Sequence, residues 1–158
     1  MDKILVYIHL DGYLREWLTN QLGDPVVFPN FSYENALLAR HITRIPPGAS
    51  PQLRGEGDVA IAVPVIQGKP PTVYNYFGRR GRYALLCAID ILFRMDMWHS
   101  LAPYITSGSI NASIEQWCVQ RGISLDNREA VRQRFYRIRK YYGQCGIILR
   151  KKYREKQV

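Results

Sequence analysis
Residues 128–140 hold Arg128, Arg132, Gln133, Tyr136, Arg139 and Lys140 at spacings that can do chemistry on a polyanion. At about 100° per residue, Arg128, Arg132 and Arg139 fall together on one helical face, and Gln133, Tyr136 and Lys140 continue round its outside. A guanidinium fork grips phosphate oxygens and also pairs bidentately with guanine O6 and N7, while a Gln amide can read adenine. Val131, Phe135, Ile138 and Tyr142 recur at i, i+4, i+7 and i+11 beside them, so that arc must pack on something. The plainer alternative is a solvated basic face on a helical hairpin. Few glutamates stand four residues before these cations to neutralise them, which favours a bound polyanion.

Charge along the chain points the same way. Residues 121–158 carry 12 Lys/Arg against 3 Asp/Glu, whereas residues 1–120 carry 10 of each. The whole net charge of +9 therefore lies at the C-terminal end, an electrostatic footprint that implies nucleic acid as partner. Lys151 and Lys152, in the run Arg150–Arg154, extend it as a phosphate-gripping or solubilising tail. Arg79, Arg80 and Arg82, in a glycine-flanked connector, can grip a phosphate or form only a basic loop. This connector is too short to be a nucleotide-binding glycine loop.

Catalytic patterns are sparse. Asp11, Glu56, Asp58 and Asp90 could converge on a metal as in a nuclease, but nothing in their spacing demands it. His9, His41 and His99 are far apart and read as isolated structural residues. There is no GxSxG elbow. The reading is therefore a protein that is not an enzyme, with no cofactor and no metal site. The three cysteines, Cys87, Cys118 and Cys145, form no CxxC pair, which fits a reducing compartment; Cys87 and Cys118 read as small buried hydrophobes. MDKILVYIHL is no signal peptide, and no run approaches the length of a membrane span. The expected location is the cytoplasm.

The elements that position these residues follow from periodicity. Residues 4–10 read as a strand, 13–22 as a helix closed by Gly23, 25–29 as a short strand and 33–43 as a helix capped by Ser32. Residues 45–57 are a Pro/Gly-rich loop, the most mobile internal segment on composition. Residues 58–66 read as a strand with 72–77 as its hairpin partner. Tyr74, Tyr76 and Phe77 on that partner suit core packing more than base stacking. An apolar helix over about 82–99 follows.

Residues 110–121 and 127–142 complete the pattern. Gly122 suits a left-handed C-cap, with Ile123 as the hydrophobic contact beyond it. Asp126 and Glu129 suit a capping box. Helix, glycine turn and amphipathic basic helix together resemble helix-turn-helix DNA-binding proteins, of the small kind found in phages and mobile elements. The resemblance covers residues 110–142 only. It departs from the tight bacterial pattern, because Arg128 stands where an apolar residue belongs and the first firm core residue is Val131, so the turn is longer.

The fold expected is α+β: a small mixed sheet of three to four strands with flanking helices, then a C-terminal helix-turn-helix-like module. Residues 1–104 form a neutral body for dimerisation or partner binding, and 105–158 a basic nucleic-acid-binding module. The function expected is DNA binding by a non-catalytic regulator or accessory protein, with DNA favoured over RNA and a homodimer possible. The alternatives are a nucleic-acid-processing enzyme, an RNA-binding protein, or an assembly protein with an acidic partner.

Overall fold
A computed structural model describes residues 4–144. The class is α+β. The chain forms two compact units, one up to Phe93 and one from Arg94 onward.

In the first unit, β1 (Leu5–His9) alternates, with Val6 and Ile8 buried and Leu5 and His9 outward. Helix α1 (Gly12–Leu22) buries Tyr13, Leu14, Trp17 and Leu18, and the Gly23 N–H closes it on the Thr19 carbonyl. Helix α2 (Tyr33–His41) starts where expected: the Ser32 hydroxyl accepts from the Asn35 N–H at 3.2 Å. Strands β2 (Ile42–Arg44), β3 (Asp58–Ala62) and β4 (Tyr74–Phe77) follow, and α3 (Arg79–Leu101) begins immediately afterwards.

Strand pairing differs from the expected single mixed sheet. β3 pairs antiparallel with β1, setting His9 opposite Asp58, and β2 pairs antiparallel with β4. These are two two-stranded sheets rather than one of three to four strands. The 58–66 and 72–77 segments do not form a hairpin. Pro64, lacking an N–H, cannot carry the ladder onward, and the connection is far longer than a tight turn. The other edge of β3 is also taken. Val26 bridges it in parallel through Ile61, with N–H···O bonds of 2.8 and 2.9 Å to Ala60 and from Ala62. β3 is thus hydrogen-bonded along both edges, and it buries Val59 through Ala62. The 45–57 loop is tied down at Gln52, whose amide donates to the Phe77 carbonyl at 2.5 Å and accepts from its N–H at 3.0 Å.

Gly81, in the first turns of α3, marks a close approach. A Cβ there would lie 2.6 Å from the His41 Cβ and 2.9 Å from the Phe77 ring. Ala favours a helix by about 1 kcal/mol over Gly. Here the overpacking dominates, and we expect Gly81→Ala to destabilise the protein by a net of about 1–3 kcal/mol in urea unfolding. A stabilised variant would show that the neighbours yield freely.

The second unit is helical. Helix α3 ends in a 3-10 turn (Ala102–Tyr104), then come α4 (Ile110–Gln120) and α5 (Leu125–Gln144). Its core is Met97, Leu101, Ile105, Ile114, Trp117, Cys118, Ile123, Val131 and Phe135, all apolar. No described helix is long and apolar enough to cross a membrane.

Candidate nucleic-acid interface
The turn that aims α5 is built as its residues dictate. Gly122 has φ of 73°, and the Ile123 N–H reaches back to the Cys118 carbonyl at 2.9 Å while the Gly122 N–H reaches Val119 at 3.2 Å. This paired closure is a Schellman cap, with Ile123 buried beyond it as its hydrophobic contact. The start of α5 differs from expectation. The helix begins at Leu125, which sets Ser124 at the cap position and Asp126 inside the first turn. Both residue types suit a cap. Ser124 takes the position because Ile123 must be buried directly after the glycine, leaving no slack for a later start. The Asn127 amide bonds the Ser124 hydroxyl at 3.3 Å.

Val131 and Phe135 are fully buried, and Ile138 and Tyr142 half-buried, along the expected stripe. Trp98 of α3 stacks on Phe135 (5.6 Å between centroids, 30° between planes) and lies 4.9 Å from Tyr142. Helices α4 and α5 meet through Glu115 with Arg128 and Asn111 with Tyr136. As α4 advances its partner on α5 retreats, so the contacts run in antiparallel order.

The basic residues divide by partner. Arg128 is half-buried; its guanidinium meets Glu115 at 3.1 Å and the Ile123 carbonyl at 3.5 Å. This explains how an arginine occupies a position the turn pattern reserves for an apolar residue: it closes the α4–α5 corner with its charge matched. Arg132 is exposed and bonds Glu129, three residues back, and the Gln133 amide reaches the same carboxylate at 3.5 Å. The exposed Tyr136 hydroxyl donates to Asn111 at 2.6 Å. Arg139 is half-buried and Lys140 exposed. Arg137, which the sequence reading passed over, is exposed too. It stands about 120° from Val131 and about 160° from Phe135 round the helix, and that phase was the available signal. Among the described residues, Arg137, Arg139 and Lys140 make no ion pair or side-chain hydrogen bond. The outward face of α5 is thus Arg132, Gln133, Tyr136, Arg137 and Lys140, with Asp126 and Glu129 as its acids.

The remaining candidates lie elsewhere. Arg79, Arg80 and Arg82 are exposed in the first turn of α3 rather than in a connector, within the first unit. No acid shares that turn, and cations there oppose the helix dipole. Lys151 and Lys152 lie outside the described residues, as does Cys145. Phe77 is core, and the ring of Tyr74 is faced by Arg44 at 5.3 Å. No group of three His, Cys, Asp or Glu side chains that could hold a metal occurs among the described residues. Burial pushes the Cys118 thiol up to about 11, with Glu115 adding to the shift and Arg128 opposing it. It is a protonated core residue at neutral pH.

Comparison with known proteins finds no matching family model, no matching curated protein and no matching solved structure. The functional reading therefore rests on residues and geometry.

Proposed function
We propose that the helical unit binds nucleic acid through the outward face of α5, with duplex DNA as the preferred form, and that the protein acts as a non-catalytic regulator or accessory factor. One observation carries the reading. Arg132, Arg137 and Lys140 are exposed on α5 outside its buried stripe, in the segment that holds the chain's whole net charge. Three cations against the two acids Asp126 and Glu129 leave this face net positive, which suits phosphates. Gln133 adds an amide and Tyr136 a ring to the same face, which suits base-edge and sugar contacts. A glycine-capped turn leading into such a helix is how helix-turn-helix proteins present a recognition helix, and the exposed length of α5 suits a major groove. Arg128 supports the corner and is left out of the contact set.

The test is a gel-shift series on duplex DNA, single-stranded DNA and RNA of one sequence, at about 50 and 200 mM salt. The full chain should bind duplex best and weaken steeply with salt. A preference for RNA would replace DNA with RNA as the partner, and salt-independent or absent binding to all three would overturn the reading.

A further inference from the structure
At one end of the β1–β3 ladder, His9, Arg15, Arg54, Glu56 and Asp58 line a cleft of about 710 Å³ in the first unit. We propose that this cleft is a binding site for a phosphate monoester, held by the Arg15 and Arg54 guanidinium groups and the His9 ring.

The geometry has three parts. First, register sets His9 opposite Asp58, and the two side chains approach to 3.6 Å between Nδ1 and Oδ1. The other Asp58 oxygen accepts the Gly55 N–H at 2.8 Å. Asp58 is therefore occupied within the fold and stands beside the imidazole, which is exposed and open to a ligand. Second, the loop backbone is pressed onto the His9 and Arg15 side chains. Gly57 has φ of 77°, and a Cβ there would lie 2.9 Å from His9 Cε1 and 3.1 Å from an Arg15 terminal nitrogen. Only glycine leaves both side chains where they are. Third, Arg15 forms no ion pair or side-chain hydrogen bond among the described residues. Arg54 is held only by long contacts, 3.4 Å each to the Asp24 carboxylate and the Asp58 carbonyl.

Two guanidinium forks and an imidazole offer more donors than a carboxylate can accept, and they match the three terminal oxygens of a phosphate monoester. The cleft opens to solvent, so a nucleoside can extend beyond the phosphate. Glu56 contributes the one carboxylate lining the cleft that makes no ion pair or side-chain hydrogen bond among the described residues. Its negative charge lowers affinity for an anion, which gives the site a diagnostic variant. Two sources present this chemistry: a free nucleoside monophosphate and the 5′-phosphate end of a nucleic-acid strand.

The experiment follows the His9 Cε1 proton by NMR while inorganic phosphate, adenosine monophosphate, and 5′-phosphorylated or 5′-hydroxyl single-stranded oligonucleotides are added to the full chain. Phosphate and adenosine monophosphate should each saturate the shift below about 20 mM. Arg15→Ala should weaken both at least tenfold and Arg15→Lys by less, because charge survives while the fork is lost. Glu56→Gln should tighten both about two- to threefold. A purely structural role for these residues does not produce that gain. An oligonucleotide that saturates the His9 shift only when 5′-phosphorylated assigns the site to strand ends; equal behaviour of the two oligonucleotides, with the monophosphate still saturating, assigns it to a free nucleotide. No saturation with either small probe, or unchanged affinity in folded Arg15→Ala and Arg15→Lys proteins, overturns the proposal.

Discussion
Replacing Arg132, Arg137 and Lys140 together by glutamine should lower duplex-DNA affinity about 100-fold near physiological salt, and should flatten the dependence of log K on log salt by about 2 to 3. Each phosphate contact releases close to one counterion, worth about three-quarters of a decade at that ionic strength, and three such residues are exposed on one face of α5. The Arg132–Glu129 pair does not prevent this. It is solvent-exposed, 44% and 56%, and pairs of that kind contribute under about 1 kcal/mol, so phosphate can displace the carboxylate. Arg128→Gln is the internal control. Its guanidinium already closes the α4–α5 corner on Glu115 and the Ile123 carbonyl, so the variant should lose stability and keep the parent salt slope. The measurement is a salt titration of duplex binding by fluorescence anisotropy. A triple variant with the parent slope would place the polyanion contact elsewhere, and a reduced slope in the Arg128 variant would return that residue to the contact set.

The residues that announced themselves in the sequence are those whose partners lie within a turn or two. The Gly122–Ile123 cap needs only six consecutive residues to close, and Ser32 finds its acceptor role three residues on. The Val131–Phe135 stripe is legible because helical phase is fixed locally. What stayed hidden depends on remote partners. His9 meets Asp58 across a ladder between segments 49 residues apart, and no spacing rule links them. Read separately, His9 as an isolated structural residue and Asp58 as one of four scattered carboxylates, neither pointed to the other, and together they shape a cleft. Arg128 belongs by phase to the same arc as Arg132. Glu115, thirteen residues earlier on another helix, removes it from that set. Strand order failed for the same reason. The other edge of β3 is covered by Val26, which comes from the segment expected as a strand over 25–29 but makes only an isolated bridge, and no local pattern says which strand it meets.

Phe135→Ala should cost about 3–5 kcal/mol and unfold the helical unit well below the parent temperature. The ring is fully buried, stacked on Trp98 and edge-on to Tyr136 at 5.6 Å and 77°. Its loss therefore combines a cavity with two aromatic contacts worth about 0.5–1.5 kcal/mol each. The residue cannot collapse cheaply, because its neighbours on the stripe, Val131 and Ile138, are branched and fixed by helical phase. A loss of this size is a large part of the 5–15 kcal/mol that typically separates folded from unfolded domains. The first unit holds its own core around Trp17, Ile61 and Phe93, so the deficit should be local. Tryptophan emission should shift red at a lower temperature for Trp98 and Trp117, while Trp17, packed edge-on against Phe93 at 5.4 Å, should keep the parent transition. Single-tryptophan proteins read by thermal fluorescence separate the two. Nucleic-acid binding should disappear along with the helical unit and be restored by cooling, since the contact face itself is untouched. A variant losing less than about 1 kcal/mol would mean that Phe135 does not organise this core. The outward placement of Arg132, Arg137 and Lys140, which depends on that buried stripe, would then lose its support as well.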